Sequence, residues 1–217
     1  MDLGLKGKVA LVTGAGSQTG YGRGIVSTLA GEGCDIVAAD IDLAGAKQAA
    51  AEVEALGCKA LAIKVDVTNR AEVDNMVKAA LAKFGRIDIL VNNAGASSDP
   101  KPFIKTTRAD WDLDINVNLY GQMNVAQAVL PHMMSRQYGR IINVSGGQGI
   151  PTISIYGAAK AGIEAFTHAL AAEVASSGVI VNGVAPGFGK TGLTRRATPE
   201  FIEGNTQRSM LKRLCTA

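Results

Sequence analysis

The chain has 217 residues, 47% of them hydrophobic and 19% charged, with 26 glycines and a formal net charge of +3. That length and apolar content suit one hydrophobic core and exclude a disordered chain, and glycine above its usual share of about 7% predicts tight turns or close backbone approach to a ligand. The charge is local: Lys190, Arg195, Arg196, Arg208, Lys212 and Arg213 outnumber Glu200 and Glu203, leaving the first 189 residues at −1, so no nucleic-acid partner is expected.

A β-rich apolar run over 8–13 leads into Gly14-Ala15-Gly16-Ser17-Gln18-Thr19-Gly20-Tyr21-Gly22 and a helical pattern over 22–31. Glycines let the backbone turn tightly against a pyrophosphate, and the helix start offers free N–H groups and a positive dipole end. A second strand, 35–39, ends at Asp40-Ile41. An acidic residue there binds both ribose hydroxyls of NAD and repels the 2′-phosphate of NADP. No Lys or Arg occurs in 15–20 or 41–46 to receive a phosphate, so NAD is the expected cofactor. Asp42 can cap the next helix, leaving Asp40 free.

That helix covers 43–56 and stops at Gly57. Strand 60–65, helix 70–84 with Gly85, strand 87–91, helix 109–136, strand 140–144, helix 155–177 with Gly178 and strand 179–184 follow. Thr198-Pro199-Glu200 then opens a last helix within a lid segment, 188–214. Its Phe201, Ile202, Met210, Leu211 and Leu214 either face a substrate or pack on the sheet edge. Alternating strands and helices predict a doubly wound, Rossmann-type α/β fold with a parallel sheet, in a single domain over 1–217. Trp111 is expected in the core beneath the long helix.

Cys34, Cys58 and Cys215 show no paired spacing, which fits reduced thiols in the cytoplasm better than disulfides or zinc. His132 and His168 lack neighbouring ligands, so no metal site is expected. No long apolar segment predicts a membrane span or signal peptide.

Tyr156 and Lys160 stand four residues apart after the fifth strand. They share a helix face where the ligand crevice of such a sheet opens, although the pair alone would also suit a solvated face. Six elements occur in order: Thr13-Gly14…Gly20-Tyr21-Gly22, Asp66-Val67, Asn92-Asn93-Ala94-Gly95, Asn118 within Asn116-Val117-Asn118-Leu119-Tyr120-Gly121, Tyr156-x-x-x-Lys160, and Pro186-Gly187…Thr191. On these the sequence resembles the short-chain dehydrogenase/reductase family, from residue 8 to about 214.

The resemblance implies a cofactor cleft formed by Gly14, Ser17, Gly20, Tyr21, Gly22, Asp40, Ile41, Asp66, Val67, Asn92, Ala94, Gly95, Tyr156, Lys160, Pro186, Gly187 and Thr191. Within it Tyr156 is implied as general acid/base, and Lys160 as the cation that lowers its pKa and holds the ribose. Asn118 is implied to hold a water behind Lys160. Asp66 and Val67 would meet the adenine, Asn92, Ala94 and Gly95 the cofactor floor, and Thr191 the carboxamide.

Two departures stand out. Five residues separate Gly14 from Gly20, where the family commonly has three, and Gly146 occupies the place of its catalytic Ser. Ser145 is the expected replacement and Ser154 the second choice; the segment 146–151, with 96–103 and 188–208, is expected to wall the substrate site. The expected activity is an NAD-dependent secondary-alcohol dehydrogenase, or ketone reductase in reverse. The alternatives are a β-ketoacyl thioester reductase and a non-catalytic dinucleotide-binding sensor or scaffold. The resemblance also implies a homotetramer joined through helices 109–136 and 155–177; Val125, Val129, Ile163 and Phe166 fit as its exposed apolar positions, although the core of one chain could use some of them. Family chains run to about 250 residues, with a further helix and a seventh strand. The sequence is therefore expected to be part of a longer chain, with its sixth strand left as an edge.

Overall fold

The computed structural model describes residues 2–189, 191–194 and 197–215. Lys190, Arg195 and Arg196 of the basic cluster, and the final Thr216 and Ala217, lie outside the described residues. Six strands, β1 (Val9–Thr13), β2 (Asp35–Asp40), β3 (Ala60–Lys64), β4 (Ile89–Asn92), β5 (Gly139–Val144) and β6 (Val179–Val184), form one parallel sheet in the order β3-β2-β1-β4-β5-β6. Helices α1 (Tyr21–Gly31), α2 (Leu43–Ala55), α3 (Arg70–Phe84), α4 (Arg108–Ile115), α5 (Gly121–Ser135), α6 (Ser154–Val174) and α7 (Pro199–Arg208) complete the Rossmann-type fold.

Alternation along the strands explains the two-sided core. Val9 and Leu11 enter a cluster with Val73 and Met76 of α3 and Val129 and Met133 of α5. Ala10 and Val12 join Val26 and Ala30 of α1 and Ala49 and Val53 of α2 on the other side. Burial on both faces is why β1 reads as an unbroken apolar run. Truncating Leu11 or Leu90, both fully buried, should cost about 2–5 kcal/mol.

The strand order places the site. After β3 the chain crosses back to pair β4 on the free side of β1, so consecutive halves of the sheet diverge between β1 and β4. A crevice opens there, beyond the carboxyl ends of the strands. The glycine turn after β1 and the Asn93-Ala94-Gly95 segment after β4 form its two lips.

Local signals largely hold. The side chains of Asp42 and Thr198 accept from backbone N–H groups of α2 and α7. Gly57, Gly85 and Gly178 take positive φ where their helices end. The expected helix over 109–136 is instead three pieces: α4, a π turn at Asn116–Tyr120 and α5. A π turn inserts one residue per turn without disturbing an apolar stripe enough to be visible in the sequence, and such turns recur at functional sites.

Two packing expectations are corrected. Trp111 is 38% exposed; it stacks on Phe103 with centroids 5.9 Å apart and donates through Nε1 to Thr106. Val125, Val129 and Ile163 are fully buried within this chain, and Phe166 packs partly buried against the same core. They therefore give no support to an intersubunit surface. β6 is the outer strand of the described sheet. Among the described residues no helix is long and apolar enough to cross a membrane.

Candidate active site

The glycine turn is built by close approach. Gly14 has φ +68°, and a Cβ there would lie 2.8 Å from the Ala94 Cα; one on Gly22 would lie 2.1 Å from the Gly14 carbonyl oxygen. The longer loop folds back on itself through Gly20 N–H to Ser17 O (3.2 Å) and is tied down by Gly16 N–H donating to Asp40 Oδ2 at 2.7 Å. Asp42 caps α2 as expected, which spares Asp40 that role; the other Asp40 oxygen accepts from Asp42 N–H at 2.9 Å. Gly20 caps α1 without a side-chain bond, which leaves first-turn N–H groups for an anion.

A cleft of about 740 Å³ runs over these lips. Gly14, Ser17, Gly20, Tyr21, Gly22, Asp40, Ile41, Asp66, Val67, Ala94, Gly95, Pro186, Gly187 and Thr191 line it, and so do Ser145, Tyr156 and Lys160. Asn92 and Asn118 do not. Asn92 is fully buried, with Nδ2 donating to the Gln122 carbonyl and Asn143 Oδ1. Asn93 takes the place expected of it, lining the cleft and donating to the carbonyls of Thr13 and Gly14. Adjacent strand residues point to opposite faces, so the sequence already held the signal that separates the two. Tyr21 also has a second duty, since its hydroxyl donates to Gly187 O at 3.0 Å and straps the glycine turn to the segment after β6.

Asn118 sits in the π turn. Its Nδ2 donates to the carbonyls of Ala96 (2.6 Å) and Asp114 (2.8 Å), while its buried Oδ1 has no partner. A Cβ on Gly95 would stand 2.9 Å from that oxygen and 3.8 Å from Lys160 Nζ. Glycine thus keeps the space between Asn118 and Lys160 open.

Tyr156 lies in the first turn of α6, and Lys160 follows one turn later with Nζ 5.6 Å from the Tyr156 ring centre. Lys160 is 2% exposed, and its Nζ donates to Val144 O at 2.8 Å. Burial lowers its pKa to about 8. Burial, and then the charge of Asp114, raise Tyr156 to about 12. Without the cofactor's charge burial dominates, and Lys160 Nζ faces the Val144 carbonyl.

Ser145 is buried and donates to Glu164 at 2.9 Å; Ser154 is exposed at the start of α6. Gly146 and Gly147 both have positive φ, and a Cβ on Gly147 would stand 2.6 Å from the Tyr156 ring. Leu113, Val117, Ile150, Ile153, Phe188 and Phe201 give the cleft an apolar wall. Of the five apolar lid residues named from the sequence, Phe201 lines it, in edge contact with Phe188, while Met210 and Leu211 are strongly exposed. Asp114 and Glu164 were not singled out from the sequence, and Gly147 was expected as part of the 146–151 wall and not as a contact of Tyr156; an aspartate in a run of charged helix residues looks like surface.

The residues present fit a nicotinamide dinucleotide. The uncapped α1 start suits a pyrophosphate, the Asp40 carboxylate suits a ribose, and the orphaned Asn118 Oδ1 awaits a donor.

The sequence profile of the short chain dehydrogenase family matches residues 8–200. The chain is 39% identical over 212 residues to the 3-oxoacyl-(acyl-carrier-protein) reductase FabG of Thermotoga maritima, covering 96% of this chain and 85% of that protein. It is 42% identical over 191 residues to the (2S)-[(R)-hydroxy(phenyl)methyl]succinyl-CoA dehydrogenase subunit BbsD of Thauera aromatica, covering 86% and 75%. The crystal structure of the 3-ketoacyl-(acyl-carrier-protein) reductase from Brucella melitensis complexed with NADH superposes with a TM-score of 0.84 at 36% identity, over 91% of this chain and 82% of that one.

Proposed function

This chain belongs to the short-chain dehydrogenase family of oxidoreductases, and we propose that it interconverts a 3-hydroxyacyl and a 3-oxoacyl thioester with NAD as hydride carrier. The observation that carries the proposal is one cleft in which Asp40, the uncapped start of α1, Tyr156 and Lys160 all meet. The sequence alone ranks a simple secondary alcohol ahead of the thioester. Relatives named for 3-oxoacyl and acyl-CoA substrates favour the thioester, itself a secondary alcohol or ketone at the reacting carbon.

Gly14, Gly22 and the first turn of α1 would hold the pyrophosphate, Asp40 the adenosine ribose, and Lys160 the ribose next to the reacting ring. The nicotinamide, when bound, supplies or accepts the hydride and brings a positive charge in its oxidised form. The Lys160 ammonium lowers the cost of a tyrosinate, opposing burial. Tyr156 gives its phenolic proton to the ketone oxygen in reduction and takes it back in oxidation. The apolar wall of Leu113, Val117, Ile150, Ile153, Phe188 and Phe201 receives the acyl chain and keeps water from the reacting carbon. A homotetramer is part of the proposal; exposed Tyr120 of the π turn and Met123 of α5 supply apolar surface, and sedimentation tests it.

The test is cofactor reduction with 3-hydroxybutyryl-CoA against simple secondary alcohols, with NAD and NADP side by side. Turnover should favour the thioester and NAD, and Tyr156→Phe should lower kcat by about 10²–10⁴ with NAD affinity retained. Equal turnover of Tyr156→Phe, or NAD binding with no turnover of any alcohol or ketone, would overturn it.

A further inference from the structure

The three aspartates of α4 end in three environments. Asp110 completes a capping box with Thr107 and pairs with Lys101 at 2.7 Å; Asp112 pairs with Arg108 at 2.7 Å. Asp114 is 1% exposed. Among the described residues no Lys, Arg or His forms an ion pair with it. Ser98 supplies both of its donors, N–H to Oδ1 at 2.7 Å and Oγ to Oδ2 at 3.0 Å. A carboxylate buried without a cation is expensive, and an aliphatic residue would fill the same place more cheaply.

Its position supplies a reason. Asp114 O accepts from Asn118 Nδ2, one turn along the helix, and Asn118 Oδ1 opens toward the Gly95 gap that Lys160 Nζ borders from the far side. α4 packs on α6, the helix of Tyr156 and Lys160. Asp114 and Lys160 are thus buried, unpaired charges of opposite sign on the two helices that enclose Asn118.

We propose that Asp114 is a positioning residue for the proton of Tyr156: its buried carboxylate, one turn from Asn118 on the helix that packs against α6, biases the site toward donating a proton to a ketone. The proposal rests on Tyr156 as the acid/base group. The direction of the electrostatics agrees, because the Asp114 charge opposes ionisation of Tyr156. Other groups face the pair. Lys160 on α6 acts in the opposite sense from 5.6 Å away from the ring. Tyr21 on α1, raised to about 12 mainly by burial, stays neutral below that range. Lys101 and Asp110 face Asp114 from the preceding segment and its own helix, and they neutralise each other at 2.7 Å.

The test is ultraviolet titration of tyrosinate, with pH profiles of ketone reduction, for the wild type, Asp114→Asn, Asp114→Ser and Tyr156→Phe. The tyrosinate step missing in Tyr156→Phe identifies Tyr156. Asp114→Asn keeps the size and can still bond both Ser98 groups; Asp114→Ser removes the charge with a smaller side chain. Both should raise the tyrosinate fraction of Tyr156 at a given alkaline pH by roughly threefold or more, and should move the alkaline limb of reduction to lower pH. Titrations of both variants that overlay the wild type would overturn the proposal. If Tyr156→Phe turns over normally, the acid/base reading of Tyr156 fails separately, and the titration still reports on Asp114.

Discussion

The Ser145 hydroxyl donates to Glu164 Oε1 at 2.9 Å, one helical turn beyond Lys160, and Gln148 Nε2 donates to the same oxygen at 2.6 Å. A hydroxyl carries one proton, and here it is directed away from a carbonyl at Tyr156. Ser145→Ala should therefore lower kcat/KM by less than about tenfold, against about 10²–10⁴ for Tyr156→Phe. Stability should fall by only about 1 kcal/mol, because Glu164 keeps the Gln148 donor. Steady-state kinetics on the two variants decide it; equal losses would mean that Ser145 turns to the substrate during the reaction.

Gly147 is a stricter requirement than Ser145. With φ +84° and the Tyr156 Cε1 only 2.6 Å from any Cβ, Gly147→Ala meets both backbone strain and the catalytic ring. It should destabilise by about 1–3 kcal/mol and lower kcat at least about 10²-fold, with NAD affinity little changed. Gly149→Ala separates the two effects. Gly149 has φ +70° and open space around it, so that variant should show the strain and keep the activity. Similar activity in both variants would show that the ring does not move.

Asp40 has two jobs. It shapes the glycine turn through Gly16 N–H and stands at the cleft as a negative charge. Asp40→Asn keeps an acceptor for Gly16 and loses the charge. Discrimination between NAD and NADP, measured as the ratio of their Kd values, should fall by about tenfold or more. Asp40→Ala removes both features, so NAD affinity and thermal stability should fall together. An unchanged ratio in Asp40→Asn would place the selectivity elsewhere.

What the sequence conveyed follows from how far each interaction reaches along the chain. The strands were legible because two-sided burial makes them continuously apolar, as in Val9–Thr13. The helix ends at Gly85 and Gly178 were legible because only glycine takes φ near +70° there without cost. Tyr156 and Lys160 were legible because four residues on one helix fix their relation. The misses depend on partners distant in sequence. Helical spacing marks Val125 and Ile163 as one face of a helix and cannot say that this chain itself covers them. Nothing local distinguishes Asp114, held by Ser98, from Asp112, held by Arg108. The direction of the Ser145 hydroxyl depends on Glu164, nineteen positions away.

Lys160 should cost stability for the sake of function. Its ammonium is 2% exposed, bonded to Val144 O, and its pKa is brought from 10.5 down to about 8 by burial. The folded pKa lies below the unfolded one, so the penalty for burying the charge is complete below about 8. Between about 8 and 10.5 the unfolded chain holds the proton more tightly than the folded chain, and the contribution of this residue to stability rises with pH. Lys160→Met removes the charge, and Val144 O still accepts from Gln122 Nε2 at 3.0 Å. The variant should be inactive and more stable by about 1–3 kcal/mol near neutral pH. The comparison must be made against the wild type at each pH, because the Tyr21 and Tyr156 phenols titrate above that window in both proteins. Urea unfolding at about pH 7 and about pH 10 measures it: the gap between variant and wild type should narrow at the higher pH, and a gap that stays constant would mean that the ammonium is already solvated in the folded protein.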